Sequence, residues 1–200
     1  SYQGGIVFHI NDNNVYIASE SILASGVSCS SNSINTPWGC VGEVIGSFGE
    51  GIGDGYDNTM TIINSECISE NNPALICYNY DNGYNDWYLP SIGELNLIYQ
   101  NIYLNGINDY NTCDPNNWYR SSTECNETSV KDFSFSGNNV ACTTCCNGKN
   151  DWQGGVIAVR SSIFEFNNCT SSDEITVTFN VCGCMDETAC NYDETATEDD

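Results

Sequence analysis

The sequence predicts an α+β fold in which helices flank a small, mostly antiparallel sheet and long loops are stapled by disulfides. Three observations lead to this prediction: one helix with a clear start signal, several short segments of strand character, and many turn-forming and cysteine residues. The chain has 200 residues, of which 40% are apolar. This is enough for one full domain with a packed core and a short second unit.

The clearest helix follows the proline of the segment 86–101, DWYLPSIGELNLIYQN. Ser91 and Glu94 have the spacing of a capping box, in which each side chain bonds a backbone N–H that the helix start leaves unsatisfied. Apolar residues then recur at helical spacing, which predicts an amphipathic helix over residues 91–103. The apolar stripe consists of Ile92, Leu95, Ile98 and Tyr99.

The remaining elements are shorter. Two strands open the chain, and a long loop rich in glycine and cysteine follows them. Residues 58–68 and 73–79 are helix candidates, and Pro73 suits the first turn of the second one. Further strands are predicted at residues 118–123, 130–136 and 155–161.

The cysteine content indicates an oxidising compartment. Thirteen cysteines would be mostly idle thiols in a reducing cytosol, so we expect a secreted or surface-exposed protein with disulfides. Zinc binding is the alternative, but Cys142, Cys145 and Cys146 form one cluster without finger spacing, and His9 is the only histidine. The cysteines predicted to form disulfides are Cys29, Cys40, Cys67, Cys77, Cys113, Cys125, Cys142, Cys145, Cys146, Cys169, Cys182, Cys184 and Cys190.

The sequence changes character after residue 162. Residues 174–181, EITVTFNV, alternate apolar and polar positions and predict a strand that pairs with the main domain or joins it to the next unit. An acidic, cysteine-containing stretch follows. We therefore expect a domain at 1–163, a connecting strand at 164–181 and an acidic unit at 182–200.

Five ordered segments within the first 163 residues resemble a known family. They are YQGGIVFHI (2–10), VYIAS (15–19), WGCVGEVIGSFGEGIGDG (38–55), YRSSTE (119–124) and GGVIAVRSS (154–162). Together with the capped helix, they resemble the C-terminal domain family of Legionella collagen-like adhesins, a C-type-lectin-like module of bacterial surface proteins. The resemblance implies a C-type-lectin-like fold and a non-enzymatic extracellular recognition or adhesion domain, whose ligand varies among relatives.

The final stretch carries a second resemblance. Its sequence, CGCMDETACNYDETATEDD, is similar to one copy of a short acidic repeat of the form Gly-Cys-x-Asp-x-x-Ala-Cys-Asn-Tyr. This repeat occurs in tandem in many extracellular proteins, so the second resemblance implies the same compartment as the first.

Charge limits the possible partners. Twenty-seven acidic residues against four basic ones give a formal net charge of −23, and this surface repels nucleic acid, whose binding depends on basic side chains. The same repulsion disfavours sulfated glycans unless a divalent cation bridges the two. We also expect no membrane insertion, because no apolar run approaches the roughly 18 residues of a membrane span.

Calcium is one interpretation of the acidic residues, since hard cations prefer oxygen ligands. The C-terminal unit supplies oxygen ligands without any Lys or Arg, although it lacks the spacing of an EF-hand loop. A solvated acidic surface without a bound ion is the alternative. A second candidate site lies in the glycine-rich loop, with Asp54, Asp57 and Asn58. The predicted ligands in the C-terminal unit are Asp186, Asn191, Asp193, Glu198 and Asp199, with Asp200 beside them.

An enzymatic function is not predicted. A hydrolytic triad requires a base beside a nucleophile, but His9 lies in a predicted strand between Phe8 and Ile10, with no local Ser or Cys partner. We interpret it as a structural histidine. Acidic residues are so abundant that no motif selects a pair for glycoside hydrolysis.

Aromatic and polar residues after the capped helix are the predicted ligand-binding surface. Tryptophan and tyrosine provide stacking faces for sugars and anchors for proteins. The predicted residues are Trp118, Tyr119, Glu124 and Trp152, and for both tryptophans a place in the core is the alternative. Trp38 and Trp87 are assigned to the core. Asn126 and Asn168 fit the acceptor pattern for N-glycosylation.

Two functions remain open at this level. The first is an adhesion or ligand-recognition module of a larger cell-surface or virion protein, which binds a surface glycan or a protein. The second is a structural subunit of an extracellular fibre or sheath. In that case copies of the chain would assemble by strand addition, disulfides and cation-bridged acidic tails.

Overall fold

The computed structural model describes residues 1–25, 35–110, 117–136, 147–151 and 154–163. All of them belong to Ser1–Glu165, the first of two units into which the chain divides. Strands and helices are both present in this unit, which confirms the α+β class. The predicted strand 174–181 and the acidic unit 182–200 lie outside the described residues.

The strands group into two small sheets rather than one. The first sheet is antiparallel, with the order β1-β2-β8, and the second has the order β3-β7-β4-β5-β6, with one parallel contact between β4 and β7. The strands are β1 Gly5–Asn11, β2 Asn14–Ser19, β3 Ala24–Ser25, β4 Trp118–Glu124, β5 Ser129–Ser134, β6 Asn147–Gly148, β7 Gly155–Val156 and β8 Val159–Ile163.

The strand predicted at 155–161 is divided in the structure. Its first part, β7, belongs to the five-stranded sheet, and its second part, β8, belongs to the three-stranded sheet. The chain crosses between the sheets at Ile157 and Ala158, which are both fully buried. An apolar run buried on both faces gives no sign of such a crossing, because its hydrophobicity is the same in either sheet.

Three helices occupy the centre of the described chain. They are α1 Asp54–Ile63, α2 Pro73–Tyr78 and α3 Ile92–Ile98, and α3 continues as one π-helical segment, Tyr99–Tyr103. The capping box at Ser91 and Glu94 is confirmed. Helix α1 starts and ends earlier than the predicted 58–68. It follows Gly53, whose positive φ of 89° suits a glycine.

Two apolar clusters form the core. One packs aromatic residues of β4 and β5 against α3, and the other surrounds Trp38 and Trp87. Both tryptophans are almost completely buried, as predicted. Tyr88, which lies between α2 and α3, joins β8 of the three-stranded sheet through paired backbone bonds with Val159. None of the helices in the described part of the chain is long and apolar enough to span a membrane.

The cysteines among the described residues include disulfide-bonded residues and a free thiol. Cys40 and Cys67 form a disulfide, and Cys125 is disulfide-bonded as well. Cys77 corrects the prediction, because it is a buried free thiol on α2 whose Sγ lies 3.7 Å from the carbonyl oxygen of Ile157. Burial raises its pKa well above the ordinary value, so this thiol is a small core residue. The other predicted disulfide cysteines lie outside the described residues.

Candidate functional site

The loop before α1 is the most unusual surface feature of the described chain. Residues 38–53, called here the anchored loop, contain neither helix nor strand. An irregular segment must satisfy its backbone N–H and C=O groups without a regular ladder. In this loop, buried side chains of β4, α1 and α3 bond many of those groups.

The loop begins at the fully buried Trp38. The indole Nε1 of Trp38 donates to the carbonyl oxygen of Ser121 at 3.1 Å. The backbone N–H of Trp38 bonds the carbonyl of Lys149 at 2.8 Å, and the Asn72 side chain donates to the carbonyl of Trp38. Two residues later, the Cys40–Cys67 disulfide ties the loop to the segment after α1. These contacts fix where the loop enters.

A buried ion pair holds the middle of the loop. The Glu124 carboxylate accepts hydrogen bonds from the backbone N–H groups of Ile45 and Gly46, at 3.0 and 2.7 Å. Lys149 Nζ lies 2.6 Å from Glu124 Oε1 and donates to the carbonyls of Cys40 and Glu43 at 3.2 and 2.5 Å. Both charged side chains are fully buried. Backbone groups of the loop satisfy the other hydrogen-bond donors and acceptors of the two side chains. Neither charge is therefore buried without partners.

The end of the loop is held by an amide and a second carboxylate. Asn58 Oδ1 accepts from the Gly49 N–H at 3.0 Å, and its Nδ2 donates to the Gly49 carbonyl at 2.7 Å. The Glu94 carboxylate accepts from the Gly53 N–H at 3.0 Å and from the Tyr88 hydroxyl at 2.9 Å. The same carboxylate closes the capping box of α3. Burial raises the pKa of Glu94, and the donated hydrogen bonds oppose that shift.

Large apolar side chains project from this fixed backbone into solvent. Val44 is 54% exposed and Phe48 is 51% exposed, whereas Ser47 between them is buried. Tyr56, in the first turns of α1, is also about half exposed, and its ring meets the edge of Tyr88 at 6.0 Å between centroids. The exposed large apolar residues of the anchored loop and the start of α1, called here the loop surface, are Val41, Val44, Phe48, Ile52 and Tyr56.

The ligand-binding residues predicted on β4 are placed differently from the expectation. Tyr119 and Glu124 are both buried rather than exposed, because β4 lies inside the five-stranded sheet with neighbours on both sides. The Tyr119 ring packs 4.1 Å from Phe135, and its hydroxyl donates to the carbonyl of Tyr110. Trp118 is partly buried, and Trp152 lies outside the described residues.

In the calcium-site candidate of the glycine-rich loop, some side-chain oxygens already accept hydrogen bonds from the loop backbone. Asn58 uses both ends of its amide on Gly49, and Asp54 Oδ2 accepts from the Gly51 N–H at 2.7 Å. Within the described ranges, no group of three or more His, Cys, Asp or Glu could hold a metal ion. The ligands predicted in the C-terminal unit, Asp186, Asn191, Asp193, Glu198 and Asp199, lie outside those ranges.

Two other predicted residues can be placed. His9 is partly exposed on β1, and its ring lies 5.9 Å from that of Tyr16. The side-chain oxygen of Asn126 accepts from both the N–H and the hydroxyl of Thr128, at 2.9 and 3.1 Å, which closes a local turn within the acceptor pattern. Asn168, the other glycosylation candidate, is outside the described part of the chain.

Residues 38–55 carry the family resemblance and a metal-site candidate in the sequence, but their pattern does not predict the exposure of their apolar side chains. A signal was present, since Val41, Val44, Phe48 and Ile52 occur among glycines without helical or strand periodicity. Comparison with known proteins gave no match to a family model and no match to a curated protein.

Proposed function

We propose that this chain is a non-enzymatic extracellular recognition module whose loop surface contacts a ligand. The observation that carries the proposal is the combination of a fixed backbone with exposed apolar side chains. A binding loop on a rigid scaffold loses little conformational entropy when a partner binds. Exposed Val, Phe, Ile and Tyr side chains then supply apolar area that the partner can bury.

The extracellular assignment is supported by oxidised sulfur. The Cys40–Cys67 bond lies directly beside the loop surface and ties the loop entrance to the segment after α1. Such a bond is maintained in secreted and cell-surface proteins and is rare in a reducing cytosol. We extend the proposal to display on a cell or virion surface, within a larger protein.

A C-type-lectin-like body is the finer fold that we propose. Its support is the position of the segments that carry the family resemblance. The opening segments form β1 and β2, the tryptophan-glycine-cysteine segment forms the anchored loop, and the later segments form β4, β7 and β8. These segments thus supply strands of both sheets and the anchored loop that the sheets support. A recognition module needs such a scaffold to present its binding loops.

Assembly into a fibre by strand addition has little support at β1, one of the two edge strands of the first sheet. Strand β1 is at the edge of its sheet, but a bulge interrupts it between Val7 and His9. The carbonyl of Phe8, at that bulge, already accepts a bond from Asn101 Nδ2 at 2.9 Å. Bulges of this kind oppose the pairing of a further strand.

The proposal is tested with an array of glycans and extracellular protein fragments. The double variant Val44→Ser/Phe48→Ser removes apolar contacts from the loop surface, and Leu104→Ser/Ile107→Ser is the matched control, since those residues are exposed beyond α3. We expect the loop variant to lose binding at least about tenfold and the control to retain it. Urea unfolding checks that both variants fold.

Two results would overturn the recognition function. One is a set of array ligands that bind the wild-type chain and both variants equally, because the loop surface would then be irrelevant. The other is assembly of the isolated protein into ordered polymers in analytical ultracentrifugation and electron microscopy, which would favour the structural subunit instead.

A further inference from the structure

The loop surface combines apolar side chains with acidic ones. Glu43 lies between Val41 and Val44 in the sequence, and Asp54 and Asp57 flank Tyr56; all three acids are exposed. A fourth exposed acid, Glu127, is brought to the same loop because its carbonyl accepts the Gly42 N–H at 2.7 Å. The anchored loop and the start of α1 therefore carry exposed acids next to exposed apolar residues in the sequence, and salt screens the field of such acids beyond about 8 Å.

No basic side chain is left to balance these acids. The sequence has four lysines and arginines, and each one forms an ion pair in the described structure. Two of these pairs lie at the anchored loop: Lys131 bonds Glu50 of the loop at 2.5 Å, and Lys149 bonds the buried Glu124 at 2.6 Å. The four pairs are Arg120–Asp132, Lys131–Glu50, Lys149–Glu124 and Arg160–Asp86.

We propose that the partner of the loop surface is a cationic protein segment in which lysine or arginine side chains stand beside apolar ones. This inference rests on the recognition function proposed above and names the chemistry of its ligand. Apolar side chains of the partner cover Val44, Phe48 and their neighbours, and its cations approach Glu43, Asp54 and Asp57. Complementary charge then sets the association rate and the register, while apolar burial supplies most of the affinity.

Other occupants fit this surface less well. Anionic lipids, nucleic acids and sulfated glycans carry the same sign of charge as the loop surface and are repelled. An uncharged sugar can donate hydroxyl hydrogen bonds to the exposed acids, but it brings no positive charge to complement theirs. A zwitterionic membrane could accept the apolar side chains without using the acids, and it is therefore included in the test as an opposing outcome.

The experiment uses three synthetic peptides of equal length. The first places lysine and leucine at amphipathic helical spacing, the second replaces each leucine by serine, and the third replaces each lysine by glutamate. We expect the full chain to bind the lysine–leucine peptide by calorimetry, the lysine–serine peptide at least about tenfold more weakly, and the glutamate–leucine peptide not at all. Raising NaCl from about 50 to 500 mM should weaken the first interaction severalfold.

Variants locate the interaction on the chain. Val44→Ser/Phe48→Ser should weaken binding of the lysine–leucine peptide about tenfold, and Glu43→Gln/Asp57→Asn about threefold with a smaller salt dependence. Leu104→Ser/Ile107→Ser should bind as the wild-type chain does. Equal binding by all variants would overturn the proposal, because the peptide would then be held only by the overall negative charge.

Vesicles of phosphatidylcholine test whether a membrane is the partner instead. Loop-dependent binding to these vesicles, without binding of the peptide, would also overturn the proposal. Different results would reject the recognition function and the cationic partner. Loop-dependent binding on the array without a preference for the lysine–leucine peptide keeps the recognition function and rejects the cationic partner. Loss of loop dependence in both experiments rejects both.

Discussion

At the scale of single residues, buried charged side chains organise this molecule. Glu124 and Lys149 are fully buried and bond each other, yet both also bond the backbone of the anchored loop. Lys149 Nζ additionally lies 5.0 Å from the centroid of the Trp38 ring, within range of a cation–π contact. The pair thus replaces the ladder of hydrogen bonds that a strand would have provided to this loop.

Removal of the buried cation should destabilise the fold strongly. In Lys149→Met, the Glu124 carboxylate stays buried without its counterion, and we expect a loss of about 3 to 5 kcal/mol in the free energy of unfolding. Lys131→Met is the matched control, because its partner Glu50 is 58% exposed, and we expect about 1 kcal/mol or less there. Urea unfolding measures both. Equal losses in the two variants would contradict the structural role of the buried pair.

The second buried carboxylate makes stability depend on pH. Burial raises the pKa of Glu94 above its ordinary value of 4.5, so the folded state favours the protonated form more than the unfolded chain does. This contribution to stability is fully present below pH 4.5 and is lost as the pH rises through the folded-state pKa.

Glu94→Gln removes that dependence. We therefore expect the free energy of unfolding of the wild-type chain, minus that of the variant, to fall as the pH rises from 4.5, the ordinary value of the carboxyl. Urea unfolding at several pH values gives this difference. A difference that is constant or increases with pH would show that the donors around Glu94 outweigh its burial.

At the scale of elements, helix α3 and the anchored loop depend on each other. Glu94 caps α3 and also holds Gly53 of the loop. In return, the loop carbonyl of Glu50 accepts the Gly93 N–H at 3.0 Å. A Cβ atom at Gly93 would lie only 2.3 Å from that carbonyl oxygen. The first turn of α3 therefore requires a glycine for a reason outside the helix.

Gly93→Ala tests this dependence, because the expected effect on stability is opposite to the one that helix propensity predicts. Alanine is better than glycine in an isolated helix by about 1 kcal/mol, but here the added methyl group would displace the loop backbone. We expect a net destabilisation of about 1 to 3 kcal/mol in urea unfolding. Asn96→Ala on the same helix is the control and should be neutral or slightly stabilising. Stabilisation by Gly93→Ala would show that the loop does not press against α3.

At the scale of the whole molecule, negative charge greatly exceeds positive charge. Four carboxylates pair with the four basic side chains, and the formal net charge of −23 resides on the remaining acids. Uncompensated charge of one sign destabilises a compact state through self-repulsion. The fold therefore depends on its core, its buried pairs and its disulfides rather than on surface ion pairs.

Salt should accordingly stabilise the protein. Screening weakens repulsion between exposed acids and affects the buried pairs little. We expect the urea midpoint to rise as NaCl increases from about 20 to 300 mM at neutral pH. A chloride series with tetramethylammonium in place of sodium controls for specific ion binding. A midpoint that falls with salt would mean that exposed ion pairs contribute more than repulsion costs.

The sequence by itself determined the features that depend on neighbouring residues and on composition. The capping box needs only Ser91 and Glu94 at their spacing, so it was predicted, as were the strands β4 and β5 and the burial of Trp38 and Trp87. The α+β class follows from these elements. The large negative charge was also fixed by composition alone, because it does not depend on where the acids lie.

Only the tertiary structure decided what the loop and the charged residues do. Glu124 and Lys149 are 25 positions apart, and their pairing turned a predicted surface acid into a buried anchor. Cys77 lies among core residues and keeps a free thiol, while Cys40 and Cys67 meet across 27 positions. Burial and pairing are properties of contacts between distant segments, and a linear pattern of residue types does not record which segments meet.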